Sequence, residues 1–457
     1  MQIVIIGNGV VGDTLIASIC EEGHNVTVID ENPALIDEVV NKYDVFGIVG
    51  NGASVEVQRQ AGVKECDVLI SVATEDELNM LCCMIGKRLG AAHAIARVRN
   101  PQYLKQMNFM CEELGIDLIV NPEYEAAREA ARIIRFPVAM KLDKFAKGRV
   151  EVLDIYVDSD HPLIGQKLSE LRSKYSTKVL ICAVKHGGDV VIPGGDYVIR
   201  EGDYISMTAS RKEISEFFVK LGIFVKKIKS VFIVGGNNIS KYLANMLSSG
   251  GFRIKIIEDD AEICQELSEL FPKADIICGD AADPDLLVEE GIDSADACIA
   301  MTADDKNNII ISMFAKNHGV DKVIAQVSAQ SFSKLSESAG IDSDINPKYI
   351  TATHVIRYVR GLANLKGNAS KSTIKTLYKL ADNKVEALEF DVGADFDQTG
   401  VPLKDLKLKS NLLVAAIIRN NNVIYPHGQT TLEVGDSVIV VTTNDRMYTL
   451  EDILLRG

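Results

Sequence analysis

Short runs of apolar, mostly β-branched residues recur along the chain, and longer segments with apolar residues at helical spacing separate them. In the first 120 residues these runs are QIVIIG, VTVID, DVLISVA, AIARV and LIV. Such runs predict strands, and their alternation with helical segments predicts a parallel sheet with right-handed connections and helices on both faces. We therefore expect an α/β fold with a Rossmann-like, doubly wound parallel sheet at the start of the chain.

The pattern changes after Asn121 and Pro122. EYEAAREAARIIRF predicts one helix that ends at Pro137, with its alanines and isoleucines on one side. That side has two candidate partners, a neighbouring subunit and the helix's own domain. The stretches RVEVLDIYV, KVLICAVKHGG, IPGGDYVI and REGDYISMTA then predict a small α+β domain, in which IPGGDYVI has the pattern of a hairpin.

A second copy of this plan follows the first. VTVIDEN matches IKIIEDD, GNGAS matches GDAAD, and IARV matches IAQV. Such a series predicts a tandem duplication of one large and one small domain. The predicted segments are a first Rossmann-like domain at 1–122, a crossover helix at 123–140, a first small domain at 141–224, a second Rossmann-like domain at 228–347, a crossover helix and linker at 348–370, and a second small domain at 371–457.

The first glycine-bearing turn has the spacing of a dinucleotide-binding fingerprint. In this fingerprint the first glycine permits a tight turn, the second lets the backbone approach a pyrophosphate, and the third packs the helix close to the sheet. The N–H groups that open the helix face the phosphates, and an acidic residue after the second strand accepts hydrogen bonds from the ribose, which favours NAD over NADP. The candidate contacts here are Gly7, Asn8, Gly9, Val10, Val11, Gly12 and Asp30.

Further candidates follow the third, fourth and fifth predicted strands, which end near Gly50, Ala73 and Arg97, because ligands of such folds bind at the carboxyl ends of the strands. Small residues after the third strand leave room for an adenine ring, and arginines at the end of the fifth are candidate cations for phosphates. We expect Arg97 and Arg99 to point in opposite directions if the fifth strand continues, so that at most one lines the pocket and the other meets a neighbouring subunit. These candidates are Asn51, Gly52, Ala53, Ala73, Thr74, Glu77, Arg97 and Arg99.

The second glycine turn lacks several of these features. Asn237 and Ser240 replace its second and third glycines, and Gln326 stands at the position of Arg97. We therefore predict that the first site binds a dinucleotide or nucleoside polyphosphate, and that the second site binds a less charged ligand or none. The residues of this second, degenerate site are Gly235, Glu258, Asp280 and Ala281.

Composition narrows the function classes. The formal net charge of −15 opposes nucleic-acid binding, since no basic stretch is present to displace phosphate counterions. No apolar run approaches the roughly 18 residues of a membrane-spanning helix. Met1 leads directly into the first run, so we expect a cytoplasmic protein. The nine cysteines form no CxxC pair and no Cys/His cluster, so we expect no metal site.

The sequence carries no catalytic motif that we recognise. It contains no Walker lysine, no GxSxG elbow and no HExxH motif, and its seven histidines form no catalytic arrangement. A dehydrogenase also needs a domain that holds substrate against the cofactor, and the small domains are short for that task. We therefore expect a binding protein and no enzyme, with an NAD-dependent oxidoreductase as the alternative.

QIVIIGNGVVG, VTVID, ISVATEDELN and IARVRNP, with REGD in the small domain, resemble the TrkA family of Trk potassium-uptake regulatory proteins. The resemblance covers the whole chain as two units, each with an RCK (KTN) nucleotide-binding domain and a TrkA C-terminal domain. It implies a cytoplasmic protein, peripheral on the inner face of the cell membrane, that forms a homotetrameric ring beneath a Trk-type membrane potassium-translocating subunit. A regulator of a different cation transporter or antiporter is the alternative in the same class.

The resemblance also implies ligands and contacts. NAD or NADH binds, ATP or ADP competes, and the exchange changes the shape of the ring and gates the membrane subunit. The nucleotide contacts that it implies are Gly7, Gly9, Gly12, Asp30, Thr74 and Arg97, with Arg99 as a contact to or from a neighbour. Asn51 departs from the family's GDA(T/S) motif, whose Asp is retained at Asp280.

Overall fold

The computed structural model describes the chain except for residues 105, 136–140, 146–149, 224–226, 368–373, 381–383, 444–446, 448 and 456–457. The predicted helix end at Pro137, and the parts of the predicted segments that fall on these positions, lie outside the described residues. The chain forms two compact units, and each unit takes residues from both halves of the duplication. Unit 1 comprises Met1–Ala131 and Lys229–Val359, and unit 2 comprises Arg132–Ile228 and Arg360–Gly457.

The first half of unit 1 is the predicted doubly wound sheet. All six strands are parallel, in the order β3-β2-β1-β4-β5-β6. The strands are β1 (Gln2–Ile6), β2 (Asn25–Asp30), β3 (Phe46–Val49), β4 (Val68–Ser71), β5 (His93–Arg97) and β6 (Leu118–Val120). The helices are α1 (Val10–Glu21), α2 (Pro33–Lys42), α3 (Val55–Gln60), α4 (Asp76–Leu89), α5 (Pro101–Leu104), α6 (Met107–Leu114) and α7 (Pro122–Arg135).

The burial of these strands explains their composition. All four residues of β4 are buried, as is every residue of β1 except the first. A strand covered by helices on both faces reads as a continuous apolar run rather than an alternating one. The runs used for the prediction are therefore the buried centre of the sheet, and the Rossmann-like fold is confirmed.

Unit 2 contains two antiparallel sheets, one from each half. The strands of the first are β7 (Lys141–Phe145), β8 (Val150–Tyr156), β9 (Leu180–His186), β10 (Asp189–Val191) and β11 (Asp203–Ala209), in the order β10-β9-β11-β8-β7. Its helices are α8 (Leu168–Lys174) and α9 (Arg211–Lys220). Ser210 and Glu213 form a capping box at the start of α9.

The second half of unit 1 repeats the parallel sheet in the order β14-β13-β12-β15-β16-β17. Its strands are β12 (Ser230–Val234), β13 (Arg253–Glu258), β14 (Asp275–Cys278), β15 (Ala297–Ala300), β16 (Lys322–Gln326) and β17 (Ser343–Ile345). Its helices are α10 (Asn238–Ser248), α11 (Ala261–Leu270), α12 (Pro284–Glu289), α13 (Asp305–Asn317), α14 (Gln330–Ser338) and α15 (Pro347–Gly367). The same strand order in both halves confirms the duplication.

The second sheet of unit 2 repeats the first, in the order β18-β19-β22-β20-β21. Its strands are β18 (Ile374–Leu380), β19 (Val385–Asp391), β20 (Leu412–Arg419), β21 (Asn422–Ile424) and β22 (Ser437–Thr442). One hydrophobic core joins the two sheets, with Val152 and Ala183 from the first and Ala387 and Ala415 from the second. The small domains therefore share a core instead of standing alone.

The hairpin predicted at IPGGDYVI is wrong. The hairpin lies just before it, where β9 and β10 pair across Gly187 and Gly188. The corresponding hairpin of β20 and β21 turns at Asn420 and Asn421, both with positive φ (48° and 67°). Two-residue hairpin loops favour Gly and Asn because both tolerate this left-handed backbone. The stronger turn signal was therefore KHGGD, and the two glycines of IPGGD lie in a turn outside the sheet, which the Tyr197 N–H closes on the Gly194 carbonyl.

The alanine side of α7 is covered within the chain. Ala126, Ala127 and Ala130 have no exposed surface. Residues of the second half approach this helix: the Tyr124 ring meets the Tyr242 ring edge-on, and His354 lies 3.5 Å from Glu125. The second half of the same chain thus also contacts α7, a neighbour that neither predicted alternative named.

Candidate functional site

The first turn needs glycine at two of its three positions. Gly7 has φ +97°, and a Cβ built on it would lie 2.7 Å from the Ala73 nitrogen. A Cβ on Gly12 would lie 2.1 Å from the Gly7 carbonyl oxygen. Both distances are far below any ordinary contact. These two glycines therefore allow the turn to form and α1 to pack against it.

Gly9 differs, because nothing in the protein requires a glycine there. Its φ is −70°, which any residue adopts, and an added Cβ would meet no atom within 4 Å. Gly9 is the N-cap of α1 and has no side chain with which to cap it. The space above Gly9 is open, and the first N–H groups of α1 face it without a capping side chain from this position.

Asp30 organises the turn. Its Oδ2 accepts a hydrogen bond from the Asn8 N–H at 2.7 Å, and its Oδ1 accepts from the Asn32 N–H at 2.9 Å. The Asn8 side chain donates to the Leu35 carbonyl at 2.8 Å. Each carboxylate oxygen has a further lone pair, so Asp30 can hold the turn and accept from a ribose hydroxyl as well.

The loop after β3 is also built on a side-chain turn. Asn51 Oδ1 accepts from the Ala53 N–H at 2.7 Å, and Asp280 Oδ1 makes the same bond with the Ala282 N–H at 2.8 Å. The departure at Asn51 therefore leaves this turn unchanged. A Cβ on Gly52 would lie 2.3 Å from Ile6 Cγ2, so that glycine is needed for packing.

Arg97 and Arg99 converge on one loop, and the expectation that they point apart is wrong. Residues two positions apart in a strand lie on the same face, so even a continued strand would not have separated these two side chains, and β5 in fact ends at Arg97. Arg97 Nη2 donates to the Ala73 carbonyl at 2.8 Å, and Arg99 Nη2 donates to the neighbouring Thr74 carbonyl at 2.6 Å. Two guanidinium groups thus lie beside the loop that Gly7 contacts.

This cationic pair is only partly neutralised by the described residues: Arg99 Nε lies 3.7 Å from Asp76 Oδ1. Burial, and then the charge of Arg99, lowers the pKa of Arg97. Arg97 Nε is buried and makes no hydrogen bond with the described residues. Burial raises the pKa of the nearby Glu123 carboxyl, whereas the charges of Arg99 and Arg97 lower it. An anionic ligand would supply the missing acceptor and offset the repulsion between the two arginines.

Glu77 lies at the edge of the same loop. The Tyr103 hydroxyl donates to Glu77 Oε1 at 2.5 Å, and this hydrogen bond lowers the pKa of Glu77. Glu77 is therefore a fixed negative charge with an oxygen left to accept from a ligand hydroxyl.

Asp76 is a further residue of this site, which the sequence patterns did not single out. Its Oδ2 accepts from the N–H groups of Arg99 and Asn100, both at 2.8 Å, and so holds the segment that carries Arg99. Asp305 does the same for the N–H groups of Ser328 and Ala329 in the second half. The same residue type at corresponding positions of the two halves was a signal that could have identified these aspartates.

The second turn is closed by its own side chain. Asn237 Oδ1 accepts from the Ser240 N–H at 3.1 Å and caps α10, while its Nδ2 donates to the Met301 carbonyl. Gly235 keeps the conformation of Gly7, with φ +96°. Glu258 repeats the role of Asp30, accepting from the Gly236 N–H. The turn is therefore preserved, but the helix N–H that a phosphate would use is already bonded.

The charged residues around the second turn also differ from those around the first. Gln326 replaces Arg97, and Lys348 replaces Glu123. Burial lowers the pKa of Lys348. Ala281, at the position of Gly52, is buried. The second site thus has one cation at a different place from the arginine pair of the first.

The described residues lack two further kinds of feature. Within them, no group of three or more His, Cys, Asp or Glu side chains is arranged to hold a metal ion. No helix in the part of the chain that the structure describes is both long and apolar enough to cross a membrane.

Comparison with known families and proteins gives matches along nearly the entire chain. The TrkA-N domain family matches residues 3–122 and 231–347, and the TrkA-C domain family matches 152–222 and 392–455. A Trk system potassium uptake protein TrkA homolog of Archaeoglobus fulgidus is 33% identical over 454 residues, which cover 99% of this chain and 100% of that protein. The TrkA of Vibrio alginolyticus is 29% identical over 98% of this chain and 96% of its own.

Solved structures of GsuK share the fold. The crystal structure of the GsuK RCK domain has a TM-score of 0.63 at 17% identity and covers 97% of this chain and 92% of that one. The GsuK channel bound to NAD has a TM-score of 0.62 at 17% identity, over 97% of this chain and 77% of that one. GsuK bound to ADP has a TM-score of 0.51 at 15% identity, over 78% and 69%.

Proposed function

Because this chain belongs to the TrkA family of Trk potassium uptake proteins, we propose that it is the nucleotide-sensing regulatory subunit of a potassium uptake system. NAD(H) or an adenine nucleotide binds at the first turn, and the bound state is passed through a homotetrameric ring to a membrane potassium-translocating subunit. The chain acts at the cytoplasmic face of the membrane, as a peripheral protein.

The contrast between Gly9 and Asn237 carries this proposal. The first helix end is open to phosphate because Gly9 has no side chain, whereas the Asn237 side chain already caps the second. The arginine pair beside the open turn, with a buried Nε that lacks an acceptor, favours the same ligand class. GsuK structures with NAD and with ADP make both nucleotides reasonable first ligands to test.

Different residues would bind different parts of the nucleotide. The N–H groups that open α1, together with Arg97 and Arg99, would hold the phosphates, and Asp30 would accept from a ribose hydroxyl. Asn51, Gly52 and the loop at Ala73 and Thr74 would border the adenosine. NAD and ATP would compete for this one site, because both bring phosphates to the same helix end.

Binding regulates only if the two ring shapes differ in affinity for the nucleotide. Typical couplings of this kind are about 1–3 kcal/mol per site, and the first sites of a ring act on one shared equilibrium. Such a device breaks no bond, so we propose a regulator and no enzyme. NADH would then be bound without being consumed.

The test uses the full-length chain with ADP, NAD and NADH. A ligand at 100 times its Kd stabilises the folded state by about 2.7 kcal/mol, which a thermal-shift assay detects readily. Small-angle scattering with ADP and with NADH then compares the two ring shapes, and NADH absorbance is followed in parallel. No stabilisation by any adenine nucleotide would overturn the proposal, and steady NADH consumption with a carbonyl substrate would favour the oxidoreductase.

A further inference from the structure

A tyrosine from the second half of the chain contacts the main chain of the first site. Tyr242 lies in α10, and its hydroxyl donates to the Arg99 carbonyl at 3.0 Å. Asn121 Nδ2 donates to the same carbonyl at 3.0 Å and to the Tyr242 hydroxyl at 3.2 Å. Arg99 is therefore held through its backbone by a side chain that lies 143 positions away in the sequence.

The Tyr242 hydroxyl is held in a fixed direction. Only 9% of the residue is exposed, and its ring meets that of Tyr124 edge-on, with centroids 5.5 Å apart at 90°. Burial raises the pKa of Tyr242 to about 12, so the hydroxyl remains a donor at neutral pH. The contact is a permanent feature of unit 1 rather than a titrating one.

The described residues of the second site have no equivalent of the contact between Tyr242 and Arg99. The residue of α1 that corresponds to Tyr242 is Thr14, whose hydroxyl donates to the Val10 carbonyl of its own helix at 3.1 Å. Asn346 still donates to the Ser328 carbonyl at 3.2 Å, as Asn121 does to Arg99. The additional hydroxyl thus supports only the site that has the arginine pair.

We propose that Tyr242 is a positioning residue for phosphate recognition at the first site. Its hydroxyl holds the Arg99 carbonyl and so fixes the backbone position from which the Arg99 side chain extends. The guanidinium group of that side chain donates to the Thr74 carbonyl at 2.6 Å. The phosphates of an adenine nucleotide then bind a guanidinium group that is already in place, so no affinity is lost in ordering the Arg99 side chain. This inference rests on the proposed nucleotide binding, and it gives the second half a role in binding although its own turn is capped.

The test compares Tyr242→Phe with Tyr358→Phe in the full-length chain. Both variants remove one hydroxyl that joins the two halves of unit 1. The Tyr358 hydroxyl meets His93 Nδ1 at 3.3 Å, at the opposite end of β5 from Arg97. Calorimetric titration with ADP should show about fivefold weaker binding in Tyr242→Phe, the usual effect of one hydrogen bond, and unchanged binding in Tyr358→Phe. Binding of adenosine, which has no phosphate, should not change in either.

A double-mutant cycle with Arg99→Gln separates positioning from a general structural effect. If Tyr242 acts through Arg99, adding Tyr242→Phe to Arg99→Gln causes no further loss of ADP affinity. A full additional fivefold loss there, an equal loss in Tyr358→Phe, or normal ADP binding by Tyr242→Phe would each overturn the inference. If the unchanged chain itself binds no ADP, the proposed function fails first, and the two failures are thereby distinguished.

Discussion

Substituting Gly9 by Asn would copy the second turn into the first. An added Cβ at Gly9 meets nothing within 4 Å, and the backbone there already has the φ of Asn237, −70°. In the second turn the Asn237 oxygen accepts from the Ser240 N–H at 3.1 Å. The same geometry in Gly9→Asn would direct the new oxygen at the Gly12 N–H. A helix N–H that is free for phosphate would then be bonded, and the space above it filled.

The expected loss of affinity follows from these two changes. A hydrogen bond to a charged group is worth about 1.5–3 kcal/mol, and an anion at a helix N-terminus gains about 0.3–1 kcal/mol more. Together they amount to about 2–4 kcal/mol, which is about 30- to 700-fold in Kd. The free energy of unfolding should change by only a few tenths of a kcal/mol, since Asn and Gly are both accepted at N-caps.

Calorimetric titration with ADP measures the affinity, and thermal unfolding without ligand measures the stability. Gly9→Ala is the matched control, because it adds a methyl group at the same place without a hydrogen-bond acceptor; its loss of affinity should be smaller. Normal ADP binding by Gly9→Asn would refute the reasoning. A large loss of stability in Gly9→Asn would show that the turn needs glycine for its own folding, contrary to its geometry.

Three further variants test neighbouring parts of the site. Gly12→Ala should lower the free energy of unfolding by about 1–3 kcal/mol in denaturant titration, because its Cβ would lie 2.1 Å from the Gly7 carbonyl. Arg97→Gln, which copies Gln326, should weaken ADP binding by about 1.5–3 kcal/mol, or roughly 10- to 150-fold, with little change in stability. Glu123→Gln should raise stability at neutral pH: the pKa of Glu123 is raised above 4.5, so the carboxyl contributes stability at low pH that is lost as the pH rises through its folded pKa. The same variant should bind ADP more tightly at neutral pH, since one buried negative charge is removed.

Each of these variants has its own contradicting result. An unchanged denaturant midpoint in Gly12→Ala would mean that the turn relaxes freely around a methyl group. Full ADP affinity in Arg97→Gln would remove that arginine from the site. For Glu123→Gln, a stability difference that is the same below pH 4.5 as at neutral pH would contradict the raised pKa.

The sequence alone predicted the features that are encoded locally. Apolar runs identified the buried strands, and glycines at Gly7 and Gly12 identified a turn that only glycine can form. The repeat of the whole pattern predicted two sheets with the same strand order, because segments with the same pattern of apolar residues bury the same faces. These features depend on residues close in the chain, so periodicity and spacing report them directly.

Features that depend on the other half of the chain could not be predicted in this way. The divergence expected of Arg97 and Arg99 was wrong for a different reason, because residues two positions apart in a strand lie on one face, and β5 ends at Arg97. The alanine side of α7 identified a packing surface but not its partner. Tyr242 reads as one more apolar position in an amphipathic helix, and nothing in its local sequence indicates that its hydroxyl bonds to Arg99.

The most direct test of the account is the stoichiometry of ADP binding to the unchanged full-length chain, measured by calorimetry. The open turn at Gly9 and the capped turn at Asn237 predict one tight site per chain, with any second event much weaker. Two equivalent sites per chain, or no binding at all, would contradict the claim that a free helix end beside an arginine pair is the nucleotide site.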